Sequence, residues 1–186
     1  MSTLSDHPEH PRVTLHETVY RGAVWDVVRD TFDYGSGQLR RDYVKHPGAS
    51  AVVAVTEDRE VVLLRQYRHP VRSRNWELPA GLLDVVGEDP VECAKRELAE
   101  EAGLSADRFT PLLSLNVSPG GSNEVIHIFL AEGLHEVDTD FVKEGEEEDL
   151  EVHRWPLDEA VKACLDGRIR NQIAVTGLLA AHARLP

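Results

Sequence analysis

The sequence predicts an α/β sandwich built on a mixed sheet, with a small antiparallel strand region ahead of it. Three observations carry that prediction. Apolar runs at residues 49–55 and 61–64 are strand-length and read as buried core strands. A helix-length segment at 90–102 begins on Pro90 and stops at Gly103. Further strands then lead to a closing helical stretch, an order that suits helices layered on one mixed sheet.

The elements follow in chain order. Residues 1–14 read as a tail, and 15–47 as a β-rich extension whose runs meet at a Gly35-Ser36-Gly37 turn. From 48 onward the chain reads as one domain. Its first two strands are separated by the polar turn 56–60. The next segment carries Arg65, Arg68, Arg72 and Arg74 without an acid, and 76–90 is rich in turn formers. After the helix, strands at 111–117 and 125–131 flank the loop Ser118-Pro119-Gly120-Gly121-Ser122-Asn123. An acidic loop at 141–151 precedes a strand at 152–155. Helices open near Pro156 and Asp158, break near Gly167 and resume over 171–183.

At 186 residues the chain can bury a core without staples, and two cysteines, Cys93 and Cys164, make no disulfide framework. With no apolar run of membrane-spanning length and no signal-peptide pattern at the start, the reading is a soluble, cytoplasmic protein. The formal net charge is −13, which argues against a partner of nucleic acid or anionic membrane. The excess is local. Residues 84–101 hold seven acids against Lys95 and Arg96, and 144–151 hold six acids and no base.

The first of these windows places Glu97, Glu100 and Glu101 at i, i+3 and i+4, within about 100° of arc on a helix. Val91, Ala94, Leu98 and Ala102 fall on a separate, apolar face. Like charges at these spacings repel, and a hard divalent cation reverses the sign of that interaction. Cys93, a turn before Glu97, is a small structural thiol in this reading, since Mg²⁺ and Mn²⁺ prefer oxygen. Glu88 and Arg96 can pair across the helix start, and Arg96 can also reach Glu97 or Glu100. Gly103 suits a left-handed cap, and Gly81 is expected to take a backbone conformation closed to other residues.

Read together, Gly81-x6-Glu88-x7-Arg96-Glu97-Leu98-Ala99-Glu100-Glu101-Ala102-Gly103-Leu104 resembles the Nudix box, G-x5-E-x7-R-E-U-x-E-E-x-G-U. The one departure is an extra residue between Gly81 and Glu88, in the loop half, which leaves the helix register unchanged. The resemblance implies a Nudix-type α/β/α sandwich. It makes Glu97 and Glu101 metal ligands, with Glu100 and the carbonyl of Ala80 joining them. It also implies two or three Mg²⁺ or Mn²⁺ ions per site.

Outside the box, the chain is similar to the ADP-ribose pyrophosphatase subfamily at three places. Residues 118–124 resemble its SPG-x-(S/T)-x-E feature, which brings in Gly120 and Glu124 as substrate-binding residues. Gln66-Tyr67-Arg68 and Trp76-Glu77-Leu78-Pro79-Ala80-Gly81 resemble it again. There Arg68 is expected on the diphosphate, and Glu77 on the adenosine side or a second subunit. The N-terminal extension implies a swapped homodimer, in which Trp25, Tyr34, Arg40 and Arg41 would approach the partner's ligand. A self-packed hairpin with Trp25 in its core is the alternative.

The acidic loop falls where these enzymes carry a catalytic glutamate. Glu146 is favoured as base, Glu147 competes with it, and Glu148 is expected as a metal ligand. The resulting expectation is divalent-metal-dependent hydrolysis of ADP-ribose to AMP and ribose 5-phosphate. Alternatives are another nucleoside diphosphate sugar, a dinucleoside polyphosphate, an oxidised nucleotide, or a non-catalytic ADP-ribose sensor.

Overall fold

A computed structural model describes residues 4–139, 141, 145 and 148–185. The chain divides into two compact units, residues 1–46 with 118–123, and residues 47–117 with 124–186.

The smaller unit is a three-stranded antiparallel meander of β1 (Val13–Arg21), β2 (Asp26–Tyr34) and β3 (Gly37–Lys45), in that order. Within β2 Val28 is buried and its neighbours are half-buried, while every residue of the edge strand β1 is exposed. Gly35 closes the β2–β3 hairpin with φ 59°, the left-handed region that glycine enters without steric cost. Cross-strand charges fasten the sheet: Arg29 donates to both oxygens of Asp42 at 2.7 and 2.8 Å, and Tyr43 donates to Asp30. Residues 118–123 join this unit, with the Val44 amide donating to the Gly121 carbonyl at 2.9 Å.

The larger unit is a sheet sandwiched between helices. Its strands are β4 (Ala49–Val55), β5 (Glu60–Arg68), β6 (Ser73–Glu77), β7 (Ala80–Leu82), β8 (Leu104–Asn116), β9 (Val125–Glu136) and β10 (Glu151–Pro156). The main order is β10-β5-β4-β9-β8, with β6 on β5 and β7 on β4. Among the described residues of this sheet the β4–β9 pairing is the one parallel pairing, which makes the sheet mixed.

Every residue of β4 is buried, as expected for a central strand covered on both faces. Its alternate residues serve different layers. Val52 and Ala54 meet Ala94 and Leu98 of α1 (Pro90–Ala102). Ala51, Val53 and Val55 belong to the core under α2 (Leu157–Leu165) and α3 (Gln172–Arg184).

Two strand readings are corrected. The turn-rich segment 76–90 contains the end of β6 and all of β7, with Pro79 between the two strands and Gly81 at the centre of β7, because these very short strands still find partners in β5 and β4. The strand expected at 111–117 starts at Leu104, directly after the helix cap. Its polar first half is carried by register against β9, including a bulge near Pro111.

Helix α3 approaches the sheet through a glycine. A Cβ on Gly177 would stand 2.7 Å from Leu78 Cδ1 and 3.0 Å from Val53 Cγ2. Gly177→Val should therefore overpack the interface and destabilise the protein by about 1–3 kcal/mol, read as a lowered urea midpoint with an unchanged m-value.

Candidate active site

Helix α1 has well-defined ends. The Asp89 carboxylate accepts from the Val91 amide at 3.0 Å, Pro90 occupies the first turn, and Gly103 ends the helix at φ 65°, ψ 31°. These ends hold the register that gives the helix an apolar face toward the sheet and an acidic stripe beside it.

The stripe is organised by Arg96. Its guanidinium makes a two-pronged pair with Glu88 at 3.0 and 3.1 Å, and Nη1 reaches Glu97 at 2.5 Å and Glu100 at 3.1 Å. Arg96 holds the Glu88 carboxyl below its ordinary range, and Glu88 in turn keeps the guanidinium charged. The extra residue of the box lies in an exposed turn. There Gly87 takes φ 82° and the Glu88 amide donates to Val85, so Glu88 still reaches Arg96.

Glu101 is only 7% exposed, and its Oε2 accepts from the Ala80 amide at 2.8 Å. That bond fastens α1 to β7. Gly81 acts differently from the expectation of a special backbone angle, since its φ is not positive. A Cβ there would lie 1.8 Å from Glu97 Oε1 and displace that carboxylate from its present place, so glycine serves here by leaving room for Glu97.

Cys93 is fully buried, with Sγ 3.7 and 3.5 Å from the carbonyl oxygens of Gly81 and Leu82. Burial, followed by the nearby Glu97 charge, pushes its pKa up to about 11. It packs the loop against the helix as a neutral thiol.

Among the described residues, no three acidic, histidine or cysteine side chains converge into a ready-made cation cage. The reason is visible in the bonding: Arg96 draws Glu97 and Glu100, while the Ala80 amide holds Glu101. The donor set nonetheless fits a hard divalent ion, being oxygen throughout, with three carboxylates on one stripe and Gly81 leaving room for Glu97.

A second cluster lies at β5 and β6. Arg68 donates to Glu77 through Nε and through Nη2, the latter at 2.8 Å, and Glu77 is buried. Both line a cleft of about 290 Å³ that Ala80 also borders. The Arg68–Glu77 pair and the shared cleft were not anticipated from sequence, which treated the two residues separately. Arg74 points its charge elsewhere, in an ion pair with Asp149, and Arg72 is an exposed residue at φ 49°.

The remaining candidates are dispersed. Glu146 and Glu147 lie outside the described residues, and Glu148 is exposed, with its amide donating to Gly145 at 3.4 Å. In the smaller unit, Trp25 stacks on His46 with ring centroids 4.3 Å apart, Arg40 and Tyr34 are exposed, and Gly120 sits in an open turn. Glu124 is half-buried.

A helix with a stripe of carboxylates on a mixed-sheet sandwich defines a class, and the sequence comparisons agree. The NUDIX domain pattern matches residues 44–175, and the chain belongs to that family. It is 42% identical over 177 residues to an ADP-ribose pyrophosphatase of Mycobacterium tuberculosis (strain ATCC 25618 / H37Rv), covering 94% of this chain and 85% of that one. It is 37% identical to an ADP-ribose pyrophosphatase of Bacillus subtilis (strain 168), covering 78% of each. A GDP-mannose pyrophosphatase of Yersinia enterocolitica (serotype O:8 / biotype 1B) is 36% identical, over 72% of each. A crystal structure of an ADP compounds hydrolase superposes with a TM-score of 0.79 at 26% identity, covering 97% of both chains.

Thiol chemistry checks the Cys93 environment. An unfolded thiol ionises near pH 9.0 and the folded one near 11, so between these values the unfolded state releases a proton that the folded state keeps. Stability should fall as pH rises through that window, and Cys93→Ala should lose part of the slope in urea midpoints measured at pH 8 and pH 10. At pH 8 a thiol reagent should leave Cys93 unmodified in the native protein and label it in denaturant.

Proposed function

We propose that the protein hydrolyses the diphosphate of ADP-ribose, giving AMP and ribose 5-phosphate, with divalent cations held by the acidic face of α1. The single observation that carries this reading is the Arg96-centred stripe of Glu88, Glu97 and Glu100 beside Glu101, which places oxygen donors against Gly81 and Ala80. The names of the relatives at 42% and 37% identity support ADP-ribose as the substrate.

In this reading Glu97, Glu101, the Ala80 carbonyl and Glu100 hold two or three Mg²⁺ or Mn²⁺ ions, with Glu148 as a further ligand. Bound cations offset the diphosphate charge and lower the pKa of an attached water. Arg96 holds Glu97 and Glu100 in register before the substrate arrives. Arg68, 41% exposed at its side chain, turns part of its guanidinium toward a phosphate oxygen while Glu77 anchors it. Glu146, or in its place Glu147, accepts the proton of the attacking water. Water attacks one phosphorus, the P–O–P bond breaks, and the bridging oxygen leaves on the other phosphate. No covalent intermediate is needed, because positioning and charge stabilisation supply the acceleration.

In a homodimer, Trp25 and Arg40 of the smaller unit serve a partner subunit's substrate; Gly120 of that unit and Glu124 of the larger one are further substrate-binding residues in this reading. The fully exposed β1 edge supports an exchange of this kind, since unpaired strand edges pair readily.

The test is a substrate panel assayed with Mg²⁺ and with Mn²⁺: ADP-ribose, GDP-mannose, a dinucleoside polyphosphate and an oxidised nucleotide. ADP-ribose should give the highest kcat/KM, and a rank near the bottom sinks the assignment. Glu97→Gln and Glu101→Gln should each lower kcat by at least about 100-fold with an unchanged circular dichroism spectrum. Chelation by EDTA should abolish turnover and weaken substrate binding.

A further inference from the structure

We propose that Asn75 reads the hydroxyl groups of the sugar on the far side of the scissile diphosphate, and so sets sugar specificity. The inference rests on the hydrolytic reading above and deepens it.

The cleft of about 290 Å³ is bordered by Arg68, Asn75, Glu77, Ala80 and Asn171, with Leu78 on its apolar wall. Its position follows from strand geometry. Asn75 lies two residues before Glu77 on β6, so the two side chains share a face. Its register partner Gln66 lies two residues before Arg68 on β5, placing Arg68 on that face as well. Ala80 connects the cleft to α1, because its amide is bonded to Glu101. A group in the cleft is therefore adjacent to the oxygen donors that face the diphosphate.

Two features say what kind of group. Among the described residues bordering the cleft Arg68 is the one cation, shared between Glu77 at 2.8 Å and the diphosphate, so nothing there calls for a further phosphate. What the cleft offers is amide chemistry. The Asn171 oxygen is engaged by the Ala174 amide at the start of α3. Asn75 is half-buried, and its side-chain amide makes no hydrogen bond with any described residue and stays open to solvent and to a ligand in the cleft. An amide carries two donors and an acceptor, which matches vicinal hydroxyls, each able to donate and accept. Beside it, Glu77 adds carboxylate acceptor capacity. A neutral polyhydroxylated pentose or hexose can bond these groups directly, whereas a bare alkyl ester leaves the Asn75 amide to water.

The experiment compares ADP-ribose with the methyl ester of ADP, which keeps the nucleoside and the diphosphate and lacks the sugar. Steady-state turnover is measured with Mg²⁺, and affinity by calorimetry with Ca²⁺, for the native chain, Asn75→Leu and Asn75→Asp. The native chain should favour ADP-ribose by at least about 10-fold in both measurements, as sites built to bond a hydroxyl do. Asn75→Leu should narrow that preference to below about 3-fold by raising KM for ADP-ribose, with the methyl ester unchanged. Asn75→Asp keeps the shape and the acceptors and should fall between the two. Retention of the full preference in Asn75→Leu overturns the proposal, and so does an equal loss on both ligands. Absence of turnover in the native chain would overturn the hydrolytic reading alone, because the calorimetric ratio still decides the role of Asn75.

Discussion

Four carboxylates crowd one short helix and the loop before it, and a single guanidinium makes that arrangement foldable. Without Arg96, Glu88, Glu97 and Glu100 would repel one another at partly desolvated positions. With it, each carboxylate has a direction, and the helix start is tied to the loop that precedes it. The remaining acid, Glu101, is buried on the adjoining side and is satisfied by a backbone amide of β7. The acidic cluster is thus satisfied by protein groups alone, with Glu97 and Glu100 held on Arg96 and Glu101 on the Ala80 amide.

The sheet gives this cluster its fixed position. Because β4 is covered on both faces, its even-numbered residues pack under α1 and its odd-numbered residues pack under α2 and α3. Helix α1 therefore cannot rotate without exposing Ala94 and Leu98. The short strand β7 pairs with the start of β4, which brings Ala80 and Gly81 to the acidic stripe. Gly81 then leaves room for the Glu97 carboxylate, which a side chain there would displace. The acids of this helix and its loop account for much of the net charge of −13.

Much of the site was legible because it is helical. Spacings of three and four residues put Glu97, Glu100, Glu101 and Arg96 together whatever the rest of the chain does, and Asp89, Pro90 and Gly103 mark both helix ends. The strands at 49–55 and 61–64 were equally plain, because continuous apolar runs of that length have few other uses. Turn formers hid β6 and β7, whose existence depends on partners rather than composition. The first half of β8 was hidden for the same reason, being polar in sequence and held by its register with β9.

The sequence by itself determined the chemistry of the acidic helix, its register and its ends, since these follow from covalent spacing and local caps. Only the tertiary structure decided which distant groups meet. The pairing of β5 with β6 put Arg68, Asn75 and Glu77 on one face beside Ala80, and the loop before β10 brought Asp149 to Arg74. The tertiary structure also replaced a backbone-angle reason for Gly81 with a packing one. The physical reason is that helix neighbours are set within a turn of chain. Sheet neighbours are set by a register that the whole buried core selects.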